Sequence, residues 1–320
     1  MITRFTESGE NAKSINGVLS MLPVRELARC LQTGFRSLFL GANVSSLRFW
    51  SRPRDAYQYW NACLLLSDSM GAGGLQNKHV WELFQDAPRE TKLHFPALQN
   101  SWICSDPSYV ADLVYLGMLC QAVQPRTVFE IGTSTGYSSL FLAANTPPDT
   151  QIWTLDLPTQ ELATQGSLTL FDRQIVEHCH KTEPCFVGHA LGKKIRRLYG
   201  DSAKFDFLPY RRSVDLFFVD GAHTYNYVRL DTINALSCCR PGSVIAWHDY
   251  RRSGLSRDVN KWLEQLTRIV PVYAAPGSSV AFMSCDVDCE ELARKLGGQD
   301  AVSDQKRHAG QQVPTSGTLP

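Results

Sequence analysis

The stretch TVFEIGTSTGYSSLFLA at 127–143 decides the fold. Its first half is a short, nearly continuous apolar run, as expected of a strand buried on both faces. Gly132 and Gly136 bracket a tight turn, and from Tyr137 onward apolar residues recur at helical spacing. Four later runs repeat the design: QIWTLDL (151–157), RRLYGD (196–201), VDLFFVDG (214–221) and GSVIAWHD (242–249). Each is β-rich and ends in an acid or a glycine, and helical patterns lie between them. This alternation predicts an α/β fold with a doubly wound, mostly parallel sheet. IVPVYA (269–274) and SSVAFMS (278–284) are separated by a turn containing Pro276 and Gly277. So short a connection predicts a hairpin, which makes the last strand antiparallel.

In an open sheet of this kind, ligands bind beyond the carboxyl ends of the strands. Those ends carry Glu130, Gly132, Ser134, Gly136 and Ser138, then Asp156, then Asp201 and Ser202, then Asp220 and His223, then His248 and Asp249. The glycine spacing is G-x-x-x-G. It is neither the G-x-G-x-x-G of dinucleotide binders nor a phosphate loop with its lysine. An acid at 130 makes a poor phosphate cradle and suits a cationic ligand rich in hydroxyl and amino groups. S-adenosylmethionine has that chemistry, and Asp156 stands where a carboxylate accepts hydrogen bonds from ribose hydroxyls.

EIGTSTGYSSLFLA (130–143) resembles the first motif of class I S-adenosylmethionine-dependent methyltransferases, and its TGYS portion resembles the catechol and caffeoyl-CoA type of O-methyltransferase. NTPPDTQIWTLDLP (145–158), GDSAKFDF (200–207), FFVDGAHTYNYVRLDT (217–232) and PGSVIAWHDY (241–250) extend the resemblance to the methyltransferase-24 group of bacterial enzymes. The resemblance spans about 105–284 and implies a Rossmann-like, seven-stranded sheet. It implies that Glu130, Gly132, Ser134, Gly136 and Ser138 line the methionine end of the cofactor, that Asp156 holds the ribose, and that Asp201 and Ser202 flank the adenine. Asp220 falls where cofactor and acceptor meet.

The catechol-type enzymes carry Asp-x-x-Lys, with a metal-binding Asp and a basic Lys. The same spacing here reads Asp220-Gly-Ala-His223, which puts His223 in the base position. Histidine suits that task, since its ordinary pKa lies near neutrality. The Asp-Asn pair that completes their metal site is His248-Asp249 here. The resemblance therefore implies a divalent metal, Mg or Mn, at Asp220, His248 and Asp249, with a histidine that shifts preference away from magnesium. His248 has alternative readings as a second base or a substrate contact. The implied activity is O-methylation of a small-molecule acceptor, a metabolite or natural product. The alternatives are N-methylation and a non-catalytic cofactor-binding or assembly module that keeps the fold.

The remaining sequence bounds these readings. The 32 basic and 31 acidic residues leave a formal charge of +1, which argues against a nucleic-acid-coating protein. No run of about 18 apolar residues suggests a membrane span. Ten scattered cysteines and a polar N-terminal stretch point to reduced thiols in a cytoplasmic protein. His178, Cys179, His180 and Cys185 match no zinc spacing and read as loop packing. Residues 1–104 read as a helical extension, a cap or a homodimer contact, with Val24, Leu27, Leu31, Phe35 and Leu38 at helical spacing. Residues 105–297 are the cofactor-binding domain, and 298–320 read as a disordered tail. Tyr225 and Tyr250 are candidates for the acceptor pocket.

Overall fold

A computed structural model describes residues 74–87, 90–96, 107–164, 168–179, 181, 183–251 and 257–297. They all fall in the compact unit Asn61–Pro320; a second unit, Met1–Trp60, lies outside them. The expected helix around 23–38, the apolar stretch at 57–66 and the tail at 298–320 also lie outside the described residues.

Among the described residues, eight strands form one sheet: β1 (Gln76–Asn77), β2 (Thr127–Ile131), β3 (Gln151–Asp156), β4 (Ile195–Tyr199), β5 (Val214–Val219), β6 (Cys239–Trp247), β7 (Tyr273–Ala274) and β8 (Ala281–Ser284). Their spatial order is β1-β7-β8-β6-β5-β2-β3-β4. Strands β6, β5, β2, β3 and β4 are parallel neighbours, and β8 runs antiparallel to both β6 and β7. The hairpin is as expected. The eighth strand is β1, which pairs parallel with β7 at the sheet edge. A piece of the stretch read as a separate extension thus joins the sheet. Its pairing is too short to leave a hydrophobic pattern in sequence.

The helices are α1 (Val80–Leu83), α2 (Pro107–Val123), α3 (Tyr137–Asn145), α4 (Leu170–Cys179), α5 (Tyr225–Cys238), α6 (Arg257–Leu266) and a last helix, α7, over 289–297. No described helix is long and apolar enough to cross a membrane.

Strand residues alternate between two cores, as the two-residue side-chain period requires. Phe129, Phe217, Val219, Ile245 and Trp247 pack on one face with α5 and α6 residues such as Leu236 and Leu263. Val128, Leu216, Phe218 and Val244 pack on the other face with Leu116, Leu119 and Leu140 of α2 and α3. Asp215 is the exception inside apolar β5. Its carboxylate accepts the backbone N–H groups of Arg126 and Thr127 at 2.8 and 2.9 Å, so a buried acid is satisfied where β2 begins.

From β2 the chain winds outward through β3 to β4, then returns to place β5 on the other side of β2. That reversal puts the switch point of the sheet between β2 and β5. The two strand ends touch there. Asp220 N–H donates to Ile131 O at 2.9 Å, and a Cβ at Gly132 would lie 1.9 Å from Asp220 O. With φ at +102° as well, position 132 accepts only glycine.

Candidate active site

A cavity of about 200 Å³ opens at the switch point, beyond the carboxyl ends of β2 to β6. The β2 turn contributes Gly132, Thr133, Ser134, Thr135 and Ser138. The ends of β3 and β4 contribute Asp156 and Leu157, then Asp201 and Ser202. The ends of β5 and β6 contribute Asp220 to His223, then His248 and Asp249. Ser134 and Asp249 both sit in the left-handed region, at φ 48° and 60°. Such strain in residues other than glycine concentrates where a site must aim its side chains.

Two residues read from the first motif stand off the wall. Glu130 lies beneath the turn, fully buried, and accepts hydrogen bonds from Ser139 Oγ and, at 2.6 Å, from Thr154 Oγ1. Burial pushes its pKa up to about 7, against the hydroxyls that favour its ionised form. Its place is to brace the turn from below. Gly136 begins α3 at φ 77° and faces away from the cavity, where a Cβ would meet the buried Phe186 ring at 2.6 Å. Tyr225 and Tyr250 also miss the cavity. Tyr225 donates to Gln265 Oε1 at 2.6 Å and packs edge-on against Trp262, and buried Tyr250 accepts the Leu75 N–H at 2.8 Å.

Asp156 is held by Arg197, whose Nη2 lies 2.9 Å from Oδ2. Asp201 accepts from Tyr227 OH at 3.0 Å and from the Ala203 N–H at 3.0 Å. Both carboxylates are thereby fixed on the cavity wall.

At the other end of the cavity, two histidines meet four carboxylates. His223 has Asp172 Oδ1 at 2.5 Å from Nδ1 and Asp249 Oδ2 at 2.5 Å from Nε2. Burial alone would lower the ring's pKa. Asp249 and Asp172 override it and push it up to about 10. The expected base, His223, thus lies on the cavity wall with Asp172 at one ring nitrogen and Asp249 at the other.

His248 has Nε2 at 3.0 Å from Asp112 Oδ2, and Nδ1 at 2.9 Å from Asp220 Oδ1 and 3.3 Å from Asp249 Oδ2. Burial would lower this ring's pKa too, but Asp220, Asp249 and Asp112 hold it well above the ordinary value. His248 Nδ1 is buried yet makes no hydrogen bond of proper geometry. Ligand atoms of Asp220, His248 and Asp249 all lie within 4.8 Å of one another. A buried, unbonded ring nitrogen converging with two carboxylates fits a divalent cation. The sequence-derived trio is therefore brought together.

Two acids of this cluster escaped the sequence reading. Asp112 lies on α2, in helical register with buried Leu116 and Leu119, and an acid in that stripe was the available signal. Asp172 is on α4, where Thr169 and Asp172 cap each other's backbone N–H at 3.0 Å. TLFD is a legible capping box, but nothing local tells that its acid also reaches His223. Tyr109 of α2 completes this end, edge-on to His248 at 6.0 Å, and the α4 residues Phe171, Ile175 and Val176 line the cavity with apolar surface. Of the candidate zinc cluster, Cys185 is a free thiol, and His180 lies outside the described residues.

Residues 129–250 match a family model described as a methyltransferase domain. No curated protein matches the chain. Similar solved structures include an O-methyltransferase of tomaymycin synthesis from Streptomyces achromogenes in complex with S-adenosylmethionine, at 20% identity, covering 55% of this chain and 78% of that one with a TM-score of 0.37. An O-methyltransferase from Bacillus cereus in complex with S-adenosylhomocysteine matches at 20% identity, over 59% and 83% of the two chains, with a TM-score of 0.37. A Podospora anserina methyltransferase bound to S-adenosylhomocysteine matches at 16% identity, over 52% and 76%, with a TM-score of 0.37. These are likenesses at low identity. Over residues 129–250, which carry the strand ends that line the cavity, the chain is similar to a methyltransferase domain.

Proposed function

We propose that the chain methylates a hydroxyl oxygen of a small-molecule acceptor. The observation that carries this reading is the convergence of Asp220, His248 and Asp249 at one end of the cavity whose other walls carry Asp156 and Asp201. In this reading the turn from Gly132 to Ser138 takes the methionine end of the donor, Asp156 the ribose, and Asp201 with Ser202 the adenine side. The acceptor hydroxyl lies at the Asp220, His248 and Asp249 end, beside Tyr109.

Methyl transfer from a sulfonium is an in-line displacement. The site's main task is to align nucleophile, methyl carbon and leaving sulfur, and good alignment is worth about 7–11 kcal/mol. Asp220, His248 and Asp249 would hold a divalent cation, which, when bound, lowers the pKa of the acceptor hydroxyl. One imidazole with two carboxylates favours manganese over magnesium. As the oxygen–methyl bond forms and the methyl–sulfur bond breaks, the acceptor proton passes, directly or through water, to the candidate base His223, which stands against Asp249, and Phe171 and Ile175 shield the cavity from water.

The test is transfer of labelled methyl from S-adenosylmethionine to paired acceptors, each hydroxylated compound beside its amino analogue. Label on the hydroxylated members, lost on chelation, is the expected result. Label on the amines alone overturns the reading.

A further inference from the structure

We propose that Asp112 is the positioning residue of this site: it turns the His248 imidazole so that Nδ1, and not Nε2, faces Asp220 and Asp249. The inference rests on the reading above in taking this end of the cavity as the acceptor and cation end.

An imidazole can flip about its bond to Cβ and exchange its two nitrogens. What fixes it is the partner of the far nitrogen, and a carboxylate in that place also fixes which nitrogen is left to ligate. Asp112 occupies that place. It is 136 residues from His248 in sequence, on a different element, and only 3% exposed. Its carboxylate is itself held. Oδ1 accepts from Ser278 Oγ at 2.7 Å and from the Ser279 N–H at 2.6 Å, and Oδ2 accepts from Ser279 Oγ at 2.8 Å while meeting His248 Nε2 at 3.0 Å. Three donors from the turn between β7 and β8 thus leave one direction open, toward the ring. The consequence is visible at the ring's other side, where Nδ1 is buried, lacks a hydrogen bond and converges with Asp220 and Asp249. Asp215 makes the contrast. It is equally buried, but it accepts the backbone N–H groups of Arg126 and Thr127 and pairs with Arg240 rather than with a ring of the site.

The experiment measures Mn²⁺ and S-adenosylhomocysteine binding by calorimetry on the full chain, for the wild type, Asp112→Asn and Asp215→Asn. In Asp112→Asn, Mn²⁺ affinity falls about 10–100-fold, the range for loss of an outer-shell carboxylate, while S-adenosylhomocysteine affinity stays within about twofold. Asp215→Asn lowers thermal stability and leaves Mn²⁺ affinity unchanged. A folded Asp112→Asn protein with wild-type Mn²⁺ affinity overturns the proposal. If Asp112→Asn does not fold, Ser279→Ala serves. It removes one donor and keeps the carboxylate, so Mn²⁺ affinity falls about threefold or more, and no change overturns the proposal. A wild type that binds S-adenosylhomocysteine but no Mn²⁺ overturns this inference and leaves the methyltransferase assignment standing. A wild type that binds neither overturns both.

Discussion

Asp231 sits in the middle of α5 with no exposed surface, and neither carboxyl oxygen has a hydrogen-bond donor of proper geometry. Burial, helped by nearby Asp201, pushes its pKa up from 3.8 to about 7. The sign follows directly. The folded state keeps this proton where the unfolded chain has lost it, so the contribution to stability is fully present below about pH 4 and is lost as pH rises through about 7. Asp231→Asn is expected to remove up to about 1.4 kcal/mol of stability loss per pH unit across that window. Urea unfolding at pH 5 and pH 7.5 checks this; an unchanged pH dependence contradicts it. Residues of this kind explain a limit of sequence reading. Asp156, Asp201, Asp220 and Asp249 are legible because each ends or closely follows a strand, and strand ends in a parallel sheet are a known address. Asp112, Asp172 and Asp231 lie inside helices, and their partners come from distant parts of the chain. No local pattern carries that information.

At the scale of elements, α4 joins the sheet's chemistry to a segment that the sequence left unassigned. Its first turn is fixed by the reciprocal bonds of Thr169 and Asp172, and the same Asp172 reaches His223. Thr169→Ala should cost about 1 kcal/mol, the usual loss for an N-terminal cap. Because α4 carries Phe171 and Ile175 on the cavity wall, the same variant should raise the Michaelis constant for methyl donor more than it lowers turnover. Thermal unfolding and steady-state kinetics together test this. A stability loss with unchanged kinetics would show that the cap acts on the helix alone. The connection between β7 and β8 has a comparable double duty. Its Pro276-Gly277 pair announced a hairpin, and the hairpin forms, but the serines just after it brace Asp112. Turn chemistry was readable; the use made of its side chains was not. Strand β1 escaped for a different reason, since two residues at a sheet edge bury too little to leave an apolar period.

For the molecule as a whole, the order β6-β5-β2-β3-β4 places a reversal between β2 and β5, and the cavity lies at that reversal. The sequence contained this much because buried parallel strands read as apolar runs and their ends as acids and glycines. Its near-zero net charge conceals the arrangement: acids gather at one end of the sheet, where the proposed function puts a cationic donor. The direct test of the central claim is calorimetric titration of the full chain with S-adenosylhomocysteine, beside Asp156→Ala. The account predicts one-to-one binding by the wild type, with affinity sharply weakened in Asp156→Ala and an unchanged thermal midpoint. An absence of binding by the folded wild type at high micromolar ligand would contradict it.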